Sequence, residues 1–144
     1  MRIVLDANVY VGAQLSPHGI CLKVIKAFTR LNSPFELILT QKIIMEISEV
    51  LVRPRIMKLT GKNEASIKLL IERLENLASF VPDLAIPLNS CRDPKDLIYL
   101  AAADTAKADL IVSLDNDLLE LTEFRGIKIL KPHEFMFIAN QIFL

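Results

Sequence analysis

Acidic side chains stand at places where a folded chain could gather them: Asp6, Glu46, Asp93, Asp96, Asp115 and Asp117. Asp6 closes the apolar run Ile3-Val4-Leu5, and Asp115 and Asp117 follow the still more hydrophobic Leu110 to Leu114. If both runs are strands of one parallel sheet, their carboxyl ends open on the crevice where such sheets hold ligands. Two carboxylates about 4 Å apart repel by roughly 4 kcal/mol at an effective dielectric near 20, so three or four together call for a cation. Hard oxygen ligands of this kind select Mg²⁺ or Mn²⁺, and the chain offers no His/Cys set for zinc. A divalent ion activates water, and a pair also stabilises the leaving oxygen of an in-line displacement at phosphorus. Metal-assisted phosphodiester hydrolysis is the chemistry such a set supports, and it needs no nucleophilic side chain.

Each acid also has a plainer account. Asp6 suits the N-cap of a following helix, and Asp93-Pro94 is a helix start in its own right, with Asp96 as the acidic partner of a capping box. Asp115 reads as a turn residue and Asp117 as a cap. Glu46 is harder to dismiss. It flanks the stripe formed by Ile43, Ile47 and Val50, where desolvation penalises an unpaired carboxylate, whereas Glu49 points further out and reads as a solvated acid. Other chemistries lack their residues. Gly12, Gly19, Gly61 and Gly126 are scattered and form no phosphate-cradling loop, His18 and His133 are isolated, and no serine lies in a nucleophile elbow.

These acids need elements to position them. The 144 residues fit one domain, and 52% hydrophobic residues provide for a sizeable core. The first strand is read at Arg2–Leu5 and a helix at Gly19–Leu31, broken by Asn32-Ser33-Pro34. A second strand follows at Phe35–Leu39, then a helix capped by Thr40 and stopped before Pro54. Asn63 or Glu64 opens another helix, with a short strand near Phe80-Val81 beyond it. A helix runs from Asp93-Pro94 to about Lys107, a buried strand covers Leu110–Leu114, and Asp115–Leu119 is a turn or short helix. Ile127–Leu130 is the last strand and Pro132–Ala139 a terminal helix. Strands alternating with helices mean βαβ units around a parallel sheet.

Seventeen basic and seventeen acidic residues cancel, so a globally basic field for nucleic acid is absent. Cys21 and Cys91 fit neither metal spacing nor a disulfide framework and read as reduced thiols. The amino terminus lacks a signal-peptide pattern, and no stretch approaches the roughly 20 apolar residues of a membrane span. The expectation is a soluble cytoplasmic protein.

The acidic segments, in their order, resemble those of PIN domains. Asp6-Ala7-Asn8-Val9 is similar to the opening D-x-N motif, and Glu46-Ile47 within its apolar helix to the second acidic segment. Asp93-Pro94-Lys95-Asp96 followed by Leu100 to Ala103 resembles the third, and Ser113-Leu114-Asp115-Asn116-Asp117 the fourth. The likeness covers about residues 2–135 and is greatest to the branch of toxin components of prokaryotic toxin–antitoxin pairs, of which Arg53-Pro54-Arg55 also looks typical. It implies a three-layer α/β/α sandwich, in a single domain over residues 1–144, around a parallel sheet of about five strands. It further implies a Mg²⁺- or Mn²⁺-dependent endoribonuclease selective for single strands. Catalysis and metal ligation carry onto Asp6, Glu46, Asp96 and Asp115, with Asp117 as an accessory ligand and Asn8, Ser113 and Asp93 in support. Asn8 and Ser113 would orient the carboxylates by hydrogen bonds; Ala7 stands where many members have Thr or Ser. RNA, an antitoxin protein and a second copy of the chain are the implied partners, with no membrane.

Arg53, Arg55, Lys58 and Lys62 form a cationic run that reads either as a solvated loop or as phosphate contacts for RNA. Two rivals remain. A receiver-like phosphoacceptor switch would need an acidic pair at the first strand and a late Lys after a strand, which this chain lacks. A silent binding module has no reason to keep mutually repelling acids. Asp6→Asn or Asp96→Asn is expected to abolish cleavage with the fold intact.

Overall fold

The computed structural model describes residues 1–143. Its strands are β1 (Arg2–Leu5), β2 (Glu36–Leu39), β3 (Ser79–Phe80), β4 (Leu110–Val112), β5 (Glu123–Phe124) and β6 (Ile127–Leu130). Its helices are α1 (Ala7–Leu15), α2 (Ile20–Thr29), α3 (Gln41–Leu51), α4 (Pro54–Thr60), α5 (Glu64–Leu77), α6 (Leu97–Ala106), α7 (Asn116–Leu119) and α8 (Pro132–Ile142). The strands make one sheet in the order β3-β2-β1-β4-β6-β5, parallel except where β5 meets β6.

Hydrophobic continuity places β1 and β4 at the centre. Ile3, Val4, Leu5, Ile111 and Val112 have no accessible surface, although successive side chains of a strand point to opposite faces. Both faces of the sheet are therefore covered, as βαβ crossovers require, and the result is a three-layer α/β/α sandwich. Phe135 of α8 is fully buried between Phe28 of α2 and Phe35, with ring centroids 6.1 Å and 5.1 Å away, which ties the last helix to the same core.

Three local features differ from the sequence expectation. The sheet has six strands rather than about five, because Arg125 and Gly126 both adopt positive φ (50° and 83°) and turn β5 back onto β6. A two-residue hairpin of this type matches strand twist, but Arg-Gly is not its usual signature. The basic run is not a loop: Pro54 ends α3 and also starts α4, where the missing N–H is harmless at the first helical position. Gly61 closes α4 at φ 70°. The Asp93/Asp96 capping box does not form. Asp93 accepts from the Lys95 N–H at 3.0 Å, Pro94–Asp96 make a 3-10 turn, and Asp96 turns inward before α6 begins.

One core residue is poorly matched to its surroundings. Tyr10 is 2% exposed, yet its hydroxyl has no hydrogen-bond partner. An unsatisfied buried hydroxyl costs about 1–3 kcal/mol, so Tyr10→Phe is expected to stabilise the fold by about 1 kcal/mol in urea unfolding. An unchanged or lower midpoint would mean that the hydroxyl is solvated or bonded.

Candidate active site

The carboxyl ends of β1, β2 and β4 set the frame. After β1 the chain turns at Asp6, whose Oδ1 accepts the N–H groups of Asn8 (2.8 Å) and Val9 (3.2 Å) and so caps α1. After β2, Thr40 caps α3 by accepting the Ile43 N–H at 3.2 Å, which fixes the helix that carries Glu46. After β4, the Ser113 hydroxyl donates to Asp6 Oδ2, the Leu114 N–H donates to the same oxygen at 3.0 Å, and Ser113 Oγ accepts the Asp115 N–H at 2.9 Å. Asp6 is thus 2% exposed and surrounded by four donors. Burial raises its pKa, while those bonds pull the other way.

Asp96 is the opposite case. It is 5% exposed and its Oδ2 has no partner. Desolvation pushes its pKa up to about 7, reinforced by the nearby Asp115 carboxylate and by the charges of Asp93 and Asp6. Oxygens of Asp93, Asp96 and Asp117 lie within 4.8 Å of one another, the spacing of a cation site. Asp115 caps α7 by accepting the Asp117 N–H at 2.8 Å, and this turn swings Asp117 back toward Asp93. Arg92 offers partial neutralisation from the rim, 3.5 Å from Asp117 and 2.9 Å from Glu120.

The acids named from sequence occupy different stations. Asp96 belongs to the compact trio, and Asp115 and Asp6 are close enough to raise its pKa. Glu46 lies outside the trio, half-buried, with Oε2 accepting a hydrogen bond from the Tyr99 hydroxyl at 2.5 Å. Of the supporting residues, Ser113 bonds Asp6 through its side chain, whereas Asn8 does so through its backbone N–H and leaves its side chain exposed. The place of Asn8 in the first turn of α1 directs its amide proton at Asp6. Asp93, expected in support, stands in the trio beside Asp117.

Of the cationic run, Arg53 lines a groove of about 340 Å³ with Lys42, Lys95, Glu46 and Glu49. Arg55 and Lys58 lie exposed on α4, and Lys62 follows it. Tyr99 and Arg92 were not anticipated. Tyr99 stands three residues after Asp96 inside an apolar helix, where a tyrosine is indistinguishable from core filling, and Arg92 precedes an acidic helix start.

The family model described as PIN domain matches residues 2–117. The chain belongs to the PIN-domain family. The matched segment takes in every acid of the pocket, from Asp6 of the first strand end to Asp117 of α7. An uncharacterized protein of Methanocaldococcus jannaschii is 26% identical to this PIN domain over 128 residues, covering 85% of the chain and 76% of that protein. PIN domains are generally nucleases that use divalent metal ions, and a cluster of three acidic residues is present here. Among the described residues, no helix is long and apolar enough to cross a membrane.

Proposed function

We propose that this PIN domain is an endoribonuclease dependent on Mg²⁺ or Mn²⁺. The observation that carries the proposal is the unpartnered oxygen of buried Asp96 among the carboxylates of Asp93, Asp115 and Asp117. Such a group is costly for the protein alone, and a hard divalent cation both pairs its charge and uses its free lone pairs. Asp93, Asp96 and Asp117 would hold the ion, Glu46 would offer it a further carboxylate oxygen, and Asp115 and Asp6 would complete the acidic wall. A divalent ion bound there supplies water activation and stabilisation of charge on the phosphate and leaving oxygens.

The chain's own residues do the positioning. Asp6 gathers the starts of α1 and the β4 turn on one carboxylate and presents Asp115 through Ser113. The Ser113 hydroxyl and the Leu114 N–H both donate to Asp6 Oδ2 while Ser113 Oγ accepts the Asp115 N–H, which fixes the turn that carries Asp115. Lys42, Arg53 and Lys95 at the groove beside Glu46 would engage the RNA backbone, giving salt-dependent affinity without base readout. Arg55, Lys58 and Lys62 extend that cationic edge.

The resemblance of the four acidic segments and of Arg53-Pro54-Arg55 to toxin components supports a cytoplasmic toxin restrained by an antitoxin protein, with a homodimer as its assembly. Growth arrest on expression, relieved by the small protein encoded beside it, is the result this setting requires.

A single-stranded RNA carrying a fluorophore and a quencher tests the reaction. Cleavage is expected with Mg²⁺ or Mn²⁺ and to stop in excess chelator; cleavage that persists in chelator rejects the proposal. Ion binding has its own readout. At a hundred times its Kd, Mn²⁺ is expected to stabilise the fold by about 2.7 kcal/mol, a rise in Tm on the order of 5–10 °C. A melt insensitive to both ions, with no cleavage, would leave a binding module.

A further inference from the structure

Tyr99 is the buried polar group for which the reaction above has no use. Its ring is 2% exposed on α6, and phenylalanine would fill the same volume. The hydroxyl is placed between two groups of opposite demand. The Ala7 N–H can only donate, and it meets the phenolic oxygen at 3.2 Å. The phenol's single proton is therefore left for Glu46 Oε2, 2.5 Å away. Burial, and then the bond to Glu46, push the phenol's pKa above the usual tyrosine range. Its hydroxyl joins three segments that supply acids: Ala7 beside Asp6, Glu46 on α3, and α6 beyond Asp96.

We propose that Tyr99 is the positioning residue for Glu46, pinning one carboxylate oxygen so that the other is presented to the divalent ion. The proposal rests on the nuclease reading above. Glu46 is half-buried at the groove mouth and no cation pairs with it among the described residues. Without the phenol, nothing else among the described residues bonds its carboxylate, and its rotamer freedom returns. Loss of a partner that orients a metal ligand typically weakens metal binding or activity by about 10–100-fold.

The test is a cycle of Tyr99→Phe, Glu46→Gln and the double variant, read by Mn²⁺ calorimetry and by kcat and KM on single-stranded RNA. Tyr99→Phe is expected to weaken Mn²⁺ by about 10-fold and lower kcat by a similar factor, with KM unchanged. In the Glu46→Gln background the same change is expected to alter the Mn²⁺ Kd less than about twofold, because the residue it acts through is already disabled. A Tyr99→Phe protein that melts lower but binds Mn²⁺ like the parent overturns the proposal, as does full additivity in the double variant. If the parent itself neither binds Mn²⁺ nor cleaves, the nuclease reading has failed and takes this proposal with it.

A spectroscopic arm covers the case in which Tyr99→Phe does not fold. The chain has two tyrosines, so in Tyr10→Phe the near-ultraviolet band belongs to Tyr99. Adding Mg²⁺ should shift that band as charge is drawn from Glu46, and the shift should vanish on adding Glu46→Gln. A band indifferent to Mg²⁺ at concentrations that stabilise the fold overturns the proposal.

Discussion

Asp96→Asn is expected to reduce RNA cleavage by more than about 100-fold and, without divalent ions at pH 8, to raise the melting temperature. The two effects have one cause. Losing a partner that merely orients a ligand costs about 10–100-fold, so losing a carboxylate placed to bind the ion directly should cost more. The stability effect follows from linkage. Asp96 ionises near 3.8 when unfolded, but burial and the charge of Asp115 hold it at about 7 when folded. Between those values the folded state binds the proton more tightly than the unfolded state, so stability is greatest below about pH 4 and falls as pH rises to about 7. Above that, the charged carboxylate carries its full penalty, on the order of 4 kcal/mol. Asparagine never ionises and escapes it, so the variant should melt on the order of 10 °C higher at pH 8 and lose the part of the pH slope that Asp96 contributes. Mn²⁺ should erase the difference by stabilising only the parent. Equal melting of the two proteins at pH 8, or a Mn²⁺ response that survives in Asp96→Asn, would remove the ion from this pocket.

The same chemical change at Asp6 should have the opposite sign. Sequence alone puts Asp6→Asn beside Asp96→Asn as a variant that spares the fold. The geometry argues otherwise, because the carboxylate accepts from Asn8, Val9, Ser113 and Leu114 at once. An asparagine offers one accepting oxygen, and whichever way its amide turns, a buried N–H faces another donor. Ser113 can rotate its hydroxyl to accept, but the backbone N–H groups cannot adapt. A buried donor left unpaired costs about 1–3 kcal/mol, so Asp6→Asn is expected to lower the unfolding free energy measured in urea by that amount at pH 7, with cleavage lost as well. Calorimetry on both variants separates the roles of the proposed reading: Asp6 organising the strand ends, Asp96 holding a cation. If Asp6→Asn proves as stable as the parent, the four-donor arrangement is wrong.

On the proposed ribonuclease reading, a neutral chain would have to hold RNA through locally concentrated charge. With equal numbers of acids and bases, long-range attraction is absent, and charge must act where it is concentrated. Lys42 on α3, Arg53 before α4 and Lys95 in the turn leading to α6 come from three segments and meet at one groove beside Glu46. The contiguous run Arg53, Arg55, Lys58 and Lys62 contributes only its first member there, because α4 is helical and directs successive side chains around its axis.

Much of this protein is written locally. Apolar runs such as Leu110-Ile111-Val112 have no amphipathic compromise and must be central strands, and Thr40 and Asn63 cap helices by bonds that span three residues. From strands and helices in alternation, the parallel sheet and the crevice beyond Asp6 and Ser113 follow. Tertiary structure alone decided how the acids divide. Whether Asp96 caps a helix or turns inward depends on packing against β1 and β4, and whether Asp93 and Asp117 meet depends on a turn that Asp115 closes. The bond from Tyr99 to Glu46 links residues 53 positions apart, and Ser113 reaches Asp6 across 107. Spacing along a chain records which face of an element a residue occupies; desolvation and hydrogen-bond supply, which fix what a carboxylate can do, arise only when distant faces come together.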